Sequence, residues 1–367
     1  MKKLFLFACF TLATVLVNNT LMAQGCVETT SSDGPQLVGY IQPQFNYYMF
    51  GDDALGNPIK PSTFEFLRAR VGIVGSIPYD ISYYVMAELS PVSGGPSLLD
   101  AYISYAPFDK YLKFSIGQFK SPFSLELNTP CYALNTINRS TVVNNLASPF
   151  RDMGLMLLGS FGKERDIISY KLAVLNGTGI NTLDDNGNKE IAARVVYSPF
   201  EWIKIGASGR TGLIGKIQDS VGNVNSVTRY AGDLTLDYKK FKFQGEYIYG
   251  ITAGTVATGG SCGSKSTTAS PTIYKSSGFW VAAMYTFNFN LQPVIKYESY
   301  DPDGTTYSYQ GVAQNYGENT FTFGINYFLN DWTRVQVNYL YNSESKIDGK
   351  INEYDNDAVM VQFQVNF

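Results

Sequence analysis

Histidine is absent from all 367 residues. That removes the imidazole from every Ser-His-Asp or Cys-His catalytic arrangement and from every histidine metal site, and with it most hydrolase and metalloenzyme readings. Charge is scarce as well: Asp, Glu, Lys and Arg make up 16% of the chain, where soluble globular proteins carry about 25%. The formal net charge is −3, so the basic face that a nucleic-acid partner requires is missing. After residue 25 no apolar run approaches the roughly 20 residues of a membrane-spanning helix, which excludes a multi-helix membrane protein. Of the four cysteines, Cys9 falls in the N-terminal leader described below. The remainder, Cys26, Cys131 and Cys262, is odd in number and defines no disulfide framework. Cys131 and Cys262 sit in long connections, open to pairing or to two free thiols. Cys26, with Ala23 and not Leu three positions before it, is a poor lipidation site.

What the chain has in quantity is aromatic and apolar residues, 27 Tyr and 24 Phe in a sequence that is 45% hydrophobic. At its start, Met1-Lys2-Lys3, the uncharged stretch Leu4 to Val17 and then Leu21-Met22-Ala23-Gln24 have the three-part layout of a secretory signal. The expected division is a signal over 1–23 cleaved after Ala23, a short segment 24–36, and one barrel domain over 37–367.

From residue 37 onward the pattern is alternation with a period of two, the mark of strands with one apolar face. Phe241, Phe243, Gly245, Tyr247 and Tyr249 share one face, and Lys242, Gln244, Glu246 and Ile248 the other. Such segments predict sixteen strands, at 37–49, 63–76, 80–90, 98–106, 111–119, 152–161, 167–176, 189–198, 201–211, 229–238, 241–250, 277–287, 290–299, 317–328, 332–342 and 357–367. Most have the length that a tilted strand needs to cross the hydrocarbon layer. The connections between them alternate long and short, as in an up-and-down barrel with turns at one rim and loops at the other. Each short connection has an aromatic in or beside it: Tyr79, Phe108, Tyr111, Phe161, Phe200, Trp202, Tyr238, Phe241, Phe287, Phe289, Phe328 and Trp332. These predict a girdle at one membrane interface. A sheet edge facing lipid would strand N–H and C=O groups at several kcal/mol each, so the first strand must pair with the last. The expected fold class is therefore all-β, a transmembrane antiparallel up-and-down β-barrel of sixteen strands. The closing alternation Val359, Val361, Phe363, Val365, Phe367 resembles the C-terminal signature of outer-membrane barrels.

LLDAYISY at Leu98 to Tyr105, FSIGQFKSPFSLE at Phe114 to Glu126, RDMG at Arg151 to Gly154 and YKLAVLNGTG at Tyr170 to Gly179 resemble the porin O/P family, the phosphate-selective porins, in the form found among Bacteroidota. FEFLRARVGIVG at Phe64 to Gly75 resembles the family's second strand. The resemblance covers roughly residues 37 to 200. It implies a sixteen-stranded outer-membrane barrel, often a homotrimer, whose third long loop, here about 120–151, folds inward and narrows the pore. Lys120 matches the family's basic residue at the root of that loop. One departure is Asn138 before Arg139, where the family tends to have an acidic residue.

With the apolar faces in lipid, the opposite faces line a water-filled lumen. Ten basic residues, Arg68, Arg70, Lys113, Lys171, Arg194, Lys204, Arg210, Lys242, Lys296 and Arg334, stand against seven acidic ones, Glu88, Asp100, Glu190, Asp233, Asp237, Glu246 and Glu298. The inward loop adds Lys120, Glu126, Arg139 and Arg151 as candidates for the constriction. A ring of cations raises the local anion concentration; alternatively these charges keep the wall wetted and pair with neighbouring acids. Gly263-Ser264-Lys265-Ser266 lacks the spacing of a phosphate loop, and Asp184 to Asn188 lacks the ligands of a calcium loop. No cofactor or metal is expected. The expected function is an outer-membrane porin for passive diffusion of small hydrophilic solutes, with an anion or phosphate preference as its finer form. Its partners are those solutes, outer-membrane lipid and further copies of the chain, with no nucleic acid. The second reading is a surface adhesion or recognition protein acting through its long loops.

Overall fold

The computed structural model describes residues 34–49, 62–93, 95–214, 225–257, 269–302, 308–309, 312–313, 317–344 and 356–367. The expected signal, Cys26, Cys262 and the Gly263 to Ser266 motif lie outside the described residues.

Sixteen strands form one closed antiparallel barrel. They are β1 (Gln36–Tyr48), β2 (Thr63–Ile77), β3 (Ile81–Glu88), β4 (Ser97–Tyr105), β5 (Lys113–Lys120), β6 (Arg151–Phe161), β7 (Ile168–Leu175), β8 (Glu190–Phe200), β9 (Ile203–Ile214), β10 (Asn225–Tyr238), β11 (Phe241–Ala257), β12 (Ala269–Tyr285), β13 (Leu291–Asp301), β14 (Glu318–Phe328), β15 (Thr333–Glu344) and β16 (Ala358–Asn366). Each pairs with its sequence neighbours, and β1 pairs with β16 to close the cylinder. The seam ends on a reciprocal backbone pair, with Gly39 N donating to Phe367 O at 2.8 Å and Phe367 N to Gly39 O at 3.0 Å. Apart from the barrel there is a two-residue ladder between Ser308–Tyr309 and Val312–Ala313.

Alternation decides which residues meet lipid. On β11, Phe241 and Tyr247 are exposed on the outside while Glu246 and Ile248 are buried inside. The girdle residues Tyr79, Phe108, Phe200, Phe289 and Trp332 are exposed at the short-turn rim. There they stack along the wall, as in Phe200 on Trp202 at 5.7 Å and Phe287 on Phe289 at 5.2 Å between ring centroids.

On β2 a strict period of two would put Phe64, Phe66, Arg68 and Arg70 on one face. The structure separates them with a β-bulge: Gln42 pairs with Arg68 and Pro43 with Phe66, leaving Leu67 as the extra residue. One added residue inverts the face of everything beyond it. Phe64 and Phe66 therefore point outward at 83% and 47% exposure, and the two arginines point into the lumen. A second shift on β4, where Met86 pairs with Asp100 and Ala87 with Leu98, turns Asp100 inward while Leu98 stays exposed.

Strand limits differ from the sequence expectation chiefly at β10, β11 and β12, which run on to residues 225, 257 and 269. The added segments, such as 251–257, are rich in Thr, Ser and Ala and lie past the apolar band, so they pair without an apolar alternation to announce them. The alternation of connection lengths is also tighter than expected. The long connection 89–96 has eight residues and the short one 106–112 has seven.

Candidate functional site: the loop across the lumen

The segment 121–150 leaves the wall after β5 and returns at β6, carrying two short helices, α1 (Leu125–Asn128) and α2 (Thr141–Leu146). Its roots are cross-strand partners, Lys120 opposite Arg151. The motif pieces quoted above meet at this point. Arg151 makes a two-pronged bond to Asp100, at 3.0 and 2.9 Å. The adjacent Asp152 accepts from Gly177 N at 2.6 Å. Gln118 donates to Leu98 O and Leu99 O at 2.9 and 3.0 Å. LLDAY, GQFKSPF, RDMG and NGTG are thus one interlocked corner that sets the angle at which the loop enters the lumen.

The loop is fixed to walls far from its roots. Glu246 on β11 accepts from Ser124 Oγ, Leu125 N and Glu126 N at 3.1, 2.8 and 3.2 Å, and from Trp280 Nε1 at 3.1 Å. An anionic acceptor at the first turn of a helix satisfies donors that have no partner within it. Ser124 caps the same turn through Leu127 N and holds a φ of 69°. That left-handed conformation is tolerated because Ser208 Oγ and Glu246 fix the residue on both sides. Glu126, on the loop, accepts from Ser140 N and Oγ at 2.7 and 2.8 Å and meets Lys296 of β13 at 2.9 Å. Glu298 of β13 takes Thr141 N at 3.0 Å. Asn338 on β15 accepts from Ile137 N at 2.8 Å. Arg210 on β9 donates to Ala147 O and Pro149 O.

Between these polar ties lies an apolar core inside the barrel. Phe123, Leu127, Val142, Val143, Leu146 and Ala147 of the loop pack on Ala231, Ile248, Trp280, Ala282, Met284 and Val294 of β10 to β13. Burying a Leu, Val or Phe side chain contributes about 1.5–3 kcal/mol, so the loop is a packed part of the fold. A wetted lumen wall was the sequence expectation; on β10 to β13 it is corrected to a hydrophobic dock.

Two sets of inward-facing charges differ in their partners. Part of the wall pairs with itself: Arg70 Nε lies 2.7 Å from Glu88, Arg194 bonds Asp233 at 2.6 and 3.0 Å, and Arg210 approaches Glu190 at 2.6 Å. Lys296 adds Glu298 at 3.3 Å to its contact with Glu126. The second set is held by neutral acceptors. Arg68 donates to Gln42 at 3.0 Å, and Arg334 to Gln364 at 3.0 Å. Lys120 donates to Leu127 O and Thr129 O, and Arg139 to Glu126 O and Thr129 O. Gln42 and Gln364 bond each other at 2.7 Å, and Gln364 also donates to Tyr132 O in the loop.

Cys131 lies in the middle of this second set, buried and free. Arg70 and Arg139 each place a guanidinium nitrogen on its sulfur, at 3.3 and 3.2 Å. Burial raises the thiol, but Arg139, Arg70, Arg68 and Lys120 outweigh it, so Cys131 titrates well below its ordinary value. The sequence placed Cys131 in a loop and gave it no role. Nothing in its local spacing signals the guanidiniums, which arrive from β2 and from eight residues downstream.

Of the candidate residues, Arg68, Arg70, Lys120, Arg139 and, by way of Glu126, the β13 wall come together where the loop crosses. Arg151 lies at its root. Lys113, Lys171 and Arg194 follow one another along the wall through the register Lys113–Leu158–Lys171–Arg194, and Arg194 shares Ser208 Oγ with the loop's Ser124 N. Lys204 pairs in register with Thr235 near the short-turn rim.

A closed sixteen-stranded cylinder, apolar outside, charged inside and crossed by a wall-anchored loop, is the architecture of an outer-membrane porin. The family model described as phosphate-selective porin O and P matches residues 44–208, so that stretch is similar to this family. No curated protein sequence matches the chain. Among solved structures the fold is similar to the anion-selective porin from Comamonas acidovorans, at 12% identity and TM-score 0.66, covering 91% of this chain and 99% of that one. It is also similar to OmpF of Salmonella typhi, at 16% identity and TM-score 0.65, covering 92% and 98%. OmpT of Vibrio cholerae in its trimer form is 11% identical with TM-score 0.60, covering 91% and 99%. Family and fold point to an outer-membrane channel rather than an enzyme, and they do not favour the adhesion reading.

Proposed function

We propose that the protein is a passive channel for small hydrophilic solutes with a modest preference for anions. The observation that carries this reading is the division of the lumen charges. Acids pair with Arg70, Arg194, Arg210 and Lys296, whereas Arg68 and Arg334 are held by amide oxygens and Arg139 by two carbonyl oxygens and the Cys131 sulfur where the loop crosses the lumen. Neutral acceptors orient a cation without cancelling its charge, and the Cys131 sulfur offsets only part of Arg139, so these three guanidinium groups set the field met by a passing ion. The same reading takes 1–23 as an export signal cleaved after Ala23 and 37–367 as one barrel domain. It takes the working form as a homotrimer, a state for which the trimeric OmpT fold is the supporting analogy.

The test is a reversal potential in a potassium chloride gradient across a planar bilayer. The parent channel passes chloride more readily than potassium. The preference fades as the Debye length falls from about 10 Å at 0.1 M to about 3 Å at 1 M salt. Arg68→Gln with Arg139→Gln lowers the anion-to-cation ratio, and Lys239→Gln with Lys240→Gln, in the turn after β10, leaves it unchanged. Cation preference in the parent overturns the proposal.

A further inference from the structure

A second recognition surface lies below the loop, at the short-turn mouth of the lumen. The inner faces of β2 to β6 line a half-open cavity of about 720 Å³ there. Its aromatic side is Tyr102, with Tyr84 behind it at 5.6 Å between ring centroids and Phe119 edge-on at 6.3 Å on the way up to the loop root. Serines share the lining with the rings. Ser82 lines the cavity, and Ser104 and Ser115 bond each other at 2.7 Å. The charged groups of the lining are one ammonium, Lys113, and two carboxylates, Asp80 and Asp109.

This chemistry differs from that of the crossing above. Two carboxylates against one ammonium repel an anion, so the cavity does not extend the cationic path. An apolar ring face set among several hydroxyls suits a molecule that is flat and apolar on one side and rich in hydroxyls at its edge. The volume falls within the roughly 300–1,000 Å³ range of small-molecule sites. We propose that this vestibule is a binding subsite for a small uncharged saccharide, stacked on Tyr102 and hydrogen-bonded by the serine row, which it occupies as it enters or leaves by the periplasmic mouth. The proposal rests on the channel reading for its biological sense, but not on the anion preference.

Maltose is the probe, with the detergent-solubilised full-length barrel observed by saturation-transfer NMR and the same protein in planar bilayers. Saturable transfer to the sugar is expected, together with a saturable fall in conductance that polyethylene glycol of similar size does not reproduce. Tyr102→Ser weakens binding by about fivefold or more, the scale of a lost aromatic contact, and Arg139→Gln does not alter it. Should Tyr102→Ser fail to fold, Ser82→Leu, which fills the cavity from a half-buried wall position, gives the same loss. A conducting channel with no transfer to maltose, an unchanged affinity in a folded Tyr102→Ser or Ser82→Leu barrel, or competition by phosphate as strong as by a second sugar overturns the subsite. A barrel that binds maltose but does not conduct overturns the channel reading and leaves the subsite standing.

Discussion

Lys296 on β13 and Glu126 in the loop are 170 residues apart in sequence and 2.9 Å apart in space, both buried. The pair ties the inward segment to a wall that it reaches only after crossing the lumen. Removing one member of a buried pair costs about 3–5 kcal/mol, because the other charge stays behind unpaired. Lys296→Met leaves Glu126 and Glu298 facing each other. The expected outcome is a noisier channel with higher mean conductance and a lower unfolding temperature of the heat-modifiable form. Glu126→Gln, which keeps the shape, has the milder effect. Deleting Thr129 to Leu146 raises conductance further and destabilises the barrel by uncovering Ile248, Trp280 and Met284. Unchanged conductance in a folded deletion variant would show that the loop is not the constriction.

Deleting Leu67 tests the bulge. Without the extra residue, either Phe64 and Phe66 turn into the lumen or Arg68 and Arg70 turn into lipid, where an arginine at mid-depth costs roughly 2–4 kcal/mol. The expected result is loss of heat-modifiable barrel from outer membranes. Leu67→Ala keeps the residue count and assembles.

Cys131→Ser isolates the one anionic partner that the crossing supplies to its arginines. A thiolate between Arg70 and Arg139 offsets part of their charge, and a serine hydroxyl does not. The variant therefore has a higher anion-to-cation permeability ratio than the parent at neutral pH. In the parent, the ultraviolet absorbance of the thiolate persists below the ordinary thiol range near pH ~8.5 and disappears on further acidification. A parent thiol that titrates at its ordinary value would refute this assignment.

The seam makes a steric prediction. A Cβ on Gly39 would come to 2.4 Å from Arg70 O and 2.7 Å from the Phe367 ring. Gly39→Val is expected to abolish the folded barrel, while Gly232→Ala on β10, with open space around it, is neutral. Phe367→Asp puts a charge at the same seam and lowers the yield of inserted protein more than the stability of barrels already formed. Both are read by heat-modifiable mobility in isolated outer membranes.

Strand number, barrel closure and the girdle were legible because each rests on a local signal, a period of two or an aromatic beside a turn. Arg68 and Arg70 could be placed in the lumen from their charge, but the bulge that takes them there could not be foreseen, since Leu67 looks like any other strand residue. The inward path of segment 121–150 came from the family resemblance. Its landing place did not, because Ala231, Ile248, Ala282, Met284 and Val294 read as ordinary members of an alternating wall. The same limit applies to Cys131 and to the glutamine pair Gln42 and Gln364, whose partners arrive from three separate parts of the chain. Alternation states which face a residue occupies and nothing about what comes to lie against it.

The dock for the loop consists of strands that follow it in the chain, and Glu246 accepts from Ser124, Leu125 and Glu126 across separations of 122, 121 and 120 residues. The plug is therefore made before its socket. During export its Phe123, Leu127, Val142, Val143 and Leu146 have no native apolar partner until β10 to β13 have formed, and closing contacts of such range is slow. The inward segment is then among the last parts of the molecule to order. Until that moment a nascent barrel carries an uncovered apolar strap, so the residues that cross the finished lumen are also those most exposed to misassembly on the way to it.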